Sequence, residues 1–159
     1  MNPCAYGNAW TVNDIRWTDT PDEEFEALGS TDLQHTAVIH KDFQQQLSDF
    51  KPSSLNTGEI TLTEYRPNQL TYNFKADKDQ LTVFSEIWTS NGWKLWIDGQ
   101  EHPLLRANYL LRAALIPAGQ HEIVMRYEPS IWKTGKVIAL ISSLLILIGF
   151  IFAIVKAKP

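Results

Sequence analysis

The pattern of hydrophobic and polar residues divides the chain into two regions. Residues 137–155 (VIALISSLLILIGFIFAIV) contain no ionisable side chain. As a helix they would extend about 28 Å, close to the thickness of a bilayer's hydrocarbon core. We therefore predict a transmembrane helix at residues 137–155, a folded domain at 1–130, a juxtamembrane tether at 131–136 and a tail at 156–159. A buried core helix is the alternative, and the absence of a polar stripe disfavours it.

The first 130 residues are dominated by the two-residue alternation of half-buried strands. Strand-like segments lie at residues 9–17, 36–40, 59–65, 70–76, 81–88, 94–105, 109–117 and 121–129. Asp98-Gly99 predicts a hairpin, because a type I′ turn needs positive φ at both positions. Tight turns favour antiparallel pairing, and this many strands favour two packed sheets. We predict a mainly β fold, an antiparallel, jelly-roll-like β-sandwich with two short helices, followed by the C-terminal transmembrane helix.

The two short helices are predicted at residues 20–28 and 42–50. The first begins with an N-terminal capping motif, in which Thr20 is the N-cap, Pro21 takes the first helical position and Glu23 is the capping acid. We interpret the acidic residues of this helix as solvated groups near the positive end of its dipole rather than as a catalytic pair. They are Asp22, Glu23, Glu24 and Glu26.

Charge and composition exclude several functions. All 18 acidic residues precede the apolar run, whereas four of the 14 basic residues flank it, at positions 133, 136, 156 and 158. The domain is therefore strongly acidic and would repel phosphate backbones, so we expect no nucleic-acid partner. A lone Cys4 excludes a disulfide framework, and the four histidines fit no metal-ligand spacing. The sequence predicts no catalytic residue, no metal site and no cofactor.

Several motifs in the second half of the chain carry a family resemblance. They are SE-x₅-GW at residues 85–93, IDG at 97–99, RANYLLRA at 106–113 and PAGQHEI at 117–123. Together with the segments at 2–10 and 62–70, they make the chain resemble the C-terminal region of the YfhO family of bacterial polytopic membrane proteins. The chain departs from the family at WTSNGW (88–93), where a Tyr and a Pro usually precede Gly-Trp, which affects the expected loop shape.

The resemblance implies a role in cell-envelope glycosylation. The family is glycosyltransferase-like, related in architecture to enzymes that take sugars from polyprenyl-phosphate carriers outside the cytoplasmic membrane. Its presumed catalytic acids lie in an early exterior loop that nothing in this chain matches. The resemblance therefore implies a fragment, namely the final extracytoplasmic domain and last span of a longer protein, with a cytoplasmic C-terminus and no catalysis of its own. The implied partners are the bilayer, upstream transmembrane helices, and a glycan or polyprenyl-phosphate sugar.

Five residues are candidates for binding such a ligand. Aromatic faces stack on sugars, and arginine offers planar donors to carboxylates and phosphates. The candidates are Trp93, Arg106, Asn108, Tyr109 and Arg112. The structural alternative is that Trp88 and Trp96 fill the core, that an Arg pairs with Glu86 or Glu101, and that Asn108 caps a turn. Two other functions stay open, a membrane-tethered carbohydrate-binding module and a ligand-free structural or assembly domain.

Overall fold

The computed structural model describes residues 6–51 and 58–156 and is mainly β, with 46% of residues in strands and 26% in helices. Cys4 and the end of the predicted tail lie outside the described residues. The chain forms two compact units, Met1–Tyr127 and Glu128–Pro159. In chain order the elements are β1 (Ala9–Val12), β2 (Asp14–Thr18), α1 (Pro21–Leu28), β3 (Thr36–His40), a 3₁₀ helix (Lys41–Leu47), β4 (Glu59–Arg66), β5 (Gln69–Ala76), β6 (Gln80–Ile87), β7 (Trp93–Ile97), β8 (Gln100–His102), β9 (Leu105–Ala107), β10 (Leu111–Ile116), β11 (Gly119–Tyr127) and α2 (Ser130–Lys156).

Two antiparallel sheets pack face to face, which confirms the predicted sandwich. One has the strand order β1-β6-β10-β9, and the other β4-β5-β11-β7-β8. Their facing sides share a hydrophobic core in which Tyr72 and Ile123 come from the five-stranded sheet, and Phe84 and Ile116 from the four-stranded sheet. The alternation that was visible in the sequence therefore reports which side of each strand faces this core.

A third layer covers the other face of the four-stranded sheet, and it was not predicted. It contains β2 and β3, which pair in parallel, whereas we expected only antiparallel strands. The expectation holds for strands joined by tight turns, but α1 lies between β2 and β3 and makes the longer crossover that parallel strands need. Ile39 of this layer shares a second core with Leu81 and Val83 of β6. This double coverage explains why β6 is buried on both sides over most of its length.

The early part of the chain differs from the prediction in two further ways. The strand expected at residues 9–17 is divided at Asn13 into β1 and β2, which belong to different sheets. Helix α1 has the predicted cap, since the Glu23 amide donates to Thr20 Oγ1 at 3.2 Å. However, α1 buries Glu24, whose exposed fraction is 0%, and leaves Phe25 64% exposed. The interpretation of Glu24 as a solvated residue is therefore wrong.

The hairpin after β7 has the predicted backbone. Asp98 and Gly99 have φ values of 49° and 83°, as a type I′ turn requires. Trp96 lies between the buried Leu95 and Ile97 and is half-buried on the opposite side of β7, so it does not fill the sandwich core. Its ring lies 5.6 Å from the Arg126 guanidinium instead.

Helix α2 is long and apolar enough to cross a membrane over Thr134–Ala153. The two serines within its apolar run have paired hydroxyls, since Ser142 Oγ donates to the Ile138 carbonyl at 2.9 Å and Ser143 Oγ to the Ala139 carbonyl at 2.8 Å. Such bonds to the preceding turn satisfy polar groups that lipid cannot. The helix already begins at Ser130, so residues 131–136 are helical, and their role as a juxtamembrane tether stays a prediction.

Candidate functional site

Four of the five candidate residues lie on the β9–β10 hairpin, which the motif RANYLLRA forms. Asn108 and Tyr109 make its turn, with φ values of 49° and 71°. Left-handed backbone is unfavourable for most residues, and asparagine is one of the few residues besides glycine that tolerate it. The turn is closed by the Leu110 amide, which donates to the Asn108 carbonyl at 2.9 Å. A strained turn of this kind needs support from its surroundings.

Asn108 provides that support by binding the third layer. It is 4% exposed, its amide donates to the Val38 carbonyl at 2.7 Å, and its side-chain Oδ1 accepts from the Val38 amide at 2.8 Å. Both backbone groups of Val38 in β3 are thus paired with one residue. Asn108 therefore holds the hairpin turn against β3. Its Nδ2 is buried without a partner among the described residues.

Arg106 and the backbone of Tyr109 share one carboxylate, that of Glu24 on α1. Arg106 Nη2 lies 2.7 Å from Glu24 Oε2, and the Tyr109 amide donates to Glu24 Oε1 at 2.8 Å. Both oxygens of a fully buried acid are thereby engaged. Because a buried charge is stable only when it is paired and hydrogen-bonded, these two contacts explain why Glu24 can lie inside the domain.

The sequence did not reveal Glu24 as the partner of Arg106. The structural alternative had an arginine of the motif paired with Glu86 or Glu101, but Glu101 pairs with Lys94 at 2.8 Å. One signal was present, since Glu24 and Ala27 are three residues apart and so lie on one face of α1. This face of α1 is buried only because the domain has a third layer, which the sequence did not predict. The ring of Phe25 instead packs edge-on against Tyr109, at 5.6 Å between centroids.

Arg112 and Trp93 form a separate cluster between the two large sheets. The Arg112 guanidinium lies 4.0 Å from the centre of the Trp93 ring, and its Nε donates to the Ile87 carbonyl at 3.0 Å. Burial lowers the pKa of Arg112, although the charge of Glu86 acts in the opposite direction. Burial likewise raises the pKa of Tyr72, which faces the same core. Trp93 is half-buried, and Tyr127 lies beside it at 5.6 Å.

The candidate residues therefore do not converge on one site. Arg106, Asn108 and Tyr109 surround Glu24 and Val38, whereas Trp93 and Arg112 meet between the sheets. Ligand binding by these residues stays a prediction. Most of their polar groups are already engaged within the domain, and the buried Nε of Arg106 and Nδ2 of Asn108 are donors that still lack a partner among the described residues. Tyr109 has the most exposed side chain of the five, at 38%.

A histidine–aspartate pair, His121 and Asp98, lies at the β7–β8 hairpin. His121 Nδ1 lies 2.6 Å from Asp98 Oδ2, and the Glu122 amide donates to Asp98 Oδ1 at 2.9 Å. The hydrogen bond to Asp98 raises the pKa of His121, and the same bond lowers the pKa of Asp98. Across the described ranges no group of three or more His, Cys, Asp and Glu side chains is arranged to hold a metal ion.

Comparisons with known proteins place the chain in a family. A search of curated proteins and a search of solved structures each returned no match. A family model described as "Bacterial membrane protein YfhO" matches residues 28–139. The match extends from the end of α1 into α2, so it contains all five candidate residues and well over half of the chain. The chain therefore belongs to the YfhO family of bacterial membrane proteins.

Proposed function

We propose that this chain is an accessory extracytoplasmic domain and the last membrane span of a YfhO-family protein that acts in cell-envelope glycosylation, and that it does not catalyse by itself. In this proposal the domain lies outside the cytoplasmic membrane, the C-terminus is cytoplasmic, and upstream transmembrane helices are the partners. The domain positions or covers the membrane-embedded site where the sugar is transferred from its lipid carrier.

One observation carries the accessory role. The chemically versatile residues of RANYLLRA are used to hold the layers of the domain together, through Arg106 with Glu24 and Asn108 with Val38. Catalytic and binding groups keep polar atoms available for a substrate. Here most of those atoms make contacts within the domain, which is what a rigid positioning domain needs. The helix that follows supplies the membrane attachment of such a domain.

A deletion in the gene that encodes this chain tests the proposal. Residues 6–127 are replaced by a short flexible linker, and envelope glycosylation is measured by mass spectrometry of released glycans. We expect glycosylation to fall severalfold while an epitope tag shows that the protein still reaches the membrane. A matched control carries Lys78→Asn, an exposed turn substitution, and should keep full glycosylation. Unchanged glycosylation in the deletion strain would refute the accessory role.

A carbohydrate-binding module is the second candidate, and the exposure of Tyr109 beside Phe25 favours it. Two neighbouring exposed aromatic rings present apolar surface on which a sugar can stack. Glycan titration of the full chain in nanodiscs would then give binding that Tyr109→Ala removes and Trp93→Ala leaves in place, since Trp93 already has Arg112 over its ring. Absence of binding, or equal binding by the two variants, excludes this candidate.

A further inference from the structure

The exposed apolar side chains of the domain gather at one end of the sandwich. In the five-stranded sheet, strand pairing places the β4–β5 turn, the start of β7 and the end of β11 at one end. In the four-stranded sheet, it places the end of β6 beside the β9–β10 turn. These strand ends lie together, because Arg112, next to the Leu111–Ile87 pair, contacts Trp93 at the start of β7. We call this the aromatic end. Its exposed large hydrophobic residues are Tyr65, Ile87, Tyr109, Leu110 and Tyr127. In the described part of residues 6–127 the other two such residues are Phe25, which packs on Tyr109, and Tyr6, which packs on Trp10.

The opposite end of the sandwich is polar. The β5–β6 turn there exposes Asp77, Lys78 and Asp79, and the β7–β8 hairpin exposes Asp98. Strand β5 runs between the two ends, which separates them by roughly 26 Å at about 3.3 Å per residue. Single exposed apolar residues need no explanation, whereas a concentration at one end of a domain indicates a surface with a partner.

Chain connectivity indicates which partner. Strand β11 ends at Tyr127, within the aromatic end, and α2 begins at Ser130, so only Glu128 and Pro129 intervene. The span candidate in α2 begins at Thr134. The four helical residues that precede it extend about 6 Å, which is the depth of one headgroup layer. The length of the polypeptide alone thus keeps the aromatic end within reach of the bilayer surface.

We propose that the aromatic end is a lipid-contacting surface that inserts its exposed aromatic and aliphatic side chains into the headgroup layer of the bilayer. Tyrosine suits this layer because its ring is apolar and its hydroxyl remains hydrated. The contact would fix the orientation of the domain on the membrane through a second attachment besides the span. This inference rests on the membrane placement in the proposed function and specifies which end of the domain carries it.

A pair of fluorescent labels at the two ends of β5 tests the proposal. The full chain, with Cys4→Ser, receives a bimane label on Asn68→Cys at the aromatic end or on Lys78→Cys at the polar end, both exposed turn positions. Each is reconstituted at one copy per phosphatidylcholine nanodisc, with and without a phospholipid whose headgroup carries a nitroxide quencher. We expect severalfold quenching at position 68 and none at position 78. Equal quenching, or none at position 68, overturns the proposal.

A substitution arm separates lipid contact from mere proximity. Tyr65→Asn with Ile87→Asn removes two side chains that are 65% and 64% exposed, so folding should be unaffected. We expect quenching at position 68 to fall severalfold in this variant, whereas Lys75→Asn with Asp77→Asn near the polar end leaves it unchanged. Undiminished quenching in the first variant overturns the proposal, because connectivity alone would then account for the position. The readout is independent of glycosylation, so its failure is distinct from failure of the proposed function.

Discussion

Arg106 and Arg112 are cross-strand partners on β9 and β10, yet their environments differ in kind. Arg106 reaches α1 and pairs with the buried Glu24, whereas Arg112 points between the sheets toward Trp93, with its Nη1 3.9 Å from the Met125 sulfur. Two like charges at facing positions of a sheet repel each other. The difference shows how the hairpin accommodates both, since one cation has an anionic partner and the other lies on an aromatic face.

The comparison also separates two ways in which a motif residue can stabilise a domain. A charge that is paired inside the domain makes each partner depend on the other, because removal of one leaves the other buried and alone. A charge that contacts a ring and a carbonyl leaves no unpaired ion when it is removed. Arg106 should therefore be far harder to replace than Arg112, although both occur in the same eight-residue motif.

The largest effect is expected for Arg106→Met. The substitution keeps most of the apolar stem but leaves the carboxylate of Glu24 buried with only the Tyr109 amide as a partner. We expect the free energy of unfolding to fall by about 3 kcal/mol, as for other buried pairs that lose one member. Urea unfolding of the full chain in nanodiscs, followed by tryptophan fluorescence, measures this. A loss below about 1 kcal/mol, the range of exposed pairs, would contradict the pairing.

An intermediate effect is expected for Asn108→Ala. The side-chain acceptor for the buried Val38 amide is lost, which costs about 1–3 kcal/mol, and alanine is strained at the positive φ of this position. Asn108→Gly is the matched variant, because glycine removes the acceptor but accepts the backbone conformation. We expect glycine to destabilise the domain less than alanine does. Hydrogen exchange at Val38 should increase in both variants, and unchanged exchange would exclude the proposed docking of the turn.

A small effect is expected for Arg112→Met. The variant loses the cation–π contact with Trp93 and one bond to the Ile87 carbonyl, worth about 1–2 kcal/mol together, but it also removes the cost of burying a cation. The two contributions oppose each other, so the free energy of unfolding should change by less than about 1 kcal/mol. A loss as large as that of Arg106→Met would show that the two arginines are equivalent.

The smallest effect concerns the His121–Asp98 pair at the polar end. The bond to Asp98 raises the pKa of His121. Protonated His121 therefore stabilises the folded domain fully below its unfolded pKa of 6.5, and this stabilisation is lost as the pH rises through its folded pKa. The pKa of Asp98 is lowered, so its contribution is present above 3.8 and is lost as the pH falls through the folded value. NMR titration of His121 should give a raised pKa, which Asp98→Asn returns toward 6.5. A pKa unaffected by that substitution would contradict the pairing.

The local structure of the second half of the chain was predictable because its strands alternate and its turns have distinctive residues. Asp98-Gly99 correctly predicted a hairpin, and the apolar run predicted α2 without any knowledge of tertiary contacts. The early part was less predictable. Asn13 interrupts what reads as one strand, and the parallel pairing of β2 and β3 depends on contacts with a sheet whose strands lie far away in sequence.

The candidate residues were predictable as a motif but not as contacts. Arg106 and Glu24 are 82 residues apart, and nothing local to either one indicates the other. Phe25 is the largest apolar residue of α1 and is exposed, whereas its neighbour Glu24 is buried because Arg106 compensates the charge. Pairings of this kind follow from the packing of layers, which a pattern of hydrophobic positions does not determine.

The most direct test of the account is a double-mutant cycle on Glu24 and Arg106. Glu24→Gln, Arg106→Met and the double variant are unfolded in urea in the full chain in nanodiscs, beside a second cycle on Trp93→Leu and Arg112→Met. If the motif holds the layers together through a buried ion pair, the first cycle should give a coupling energy of about 2 kcal/mol or more, and the second less than about 1 kcal/mol. Additive effects at Glu24 and Arg106, within about 0.5 kcal/mol, would contradict the account.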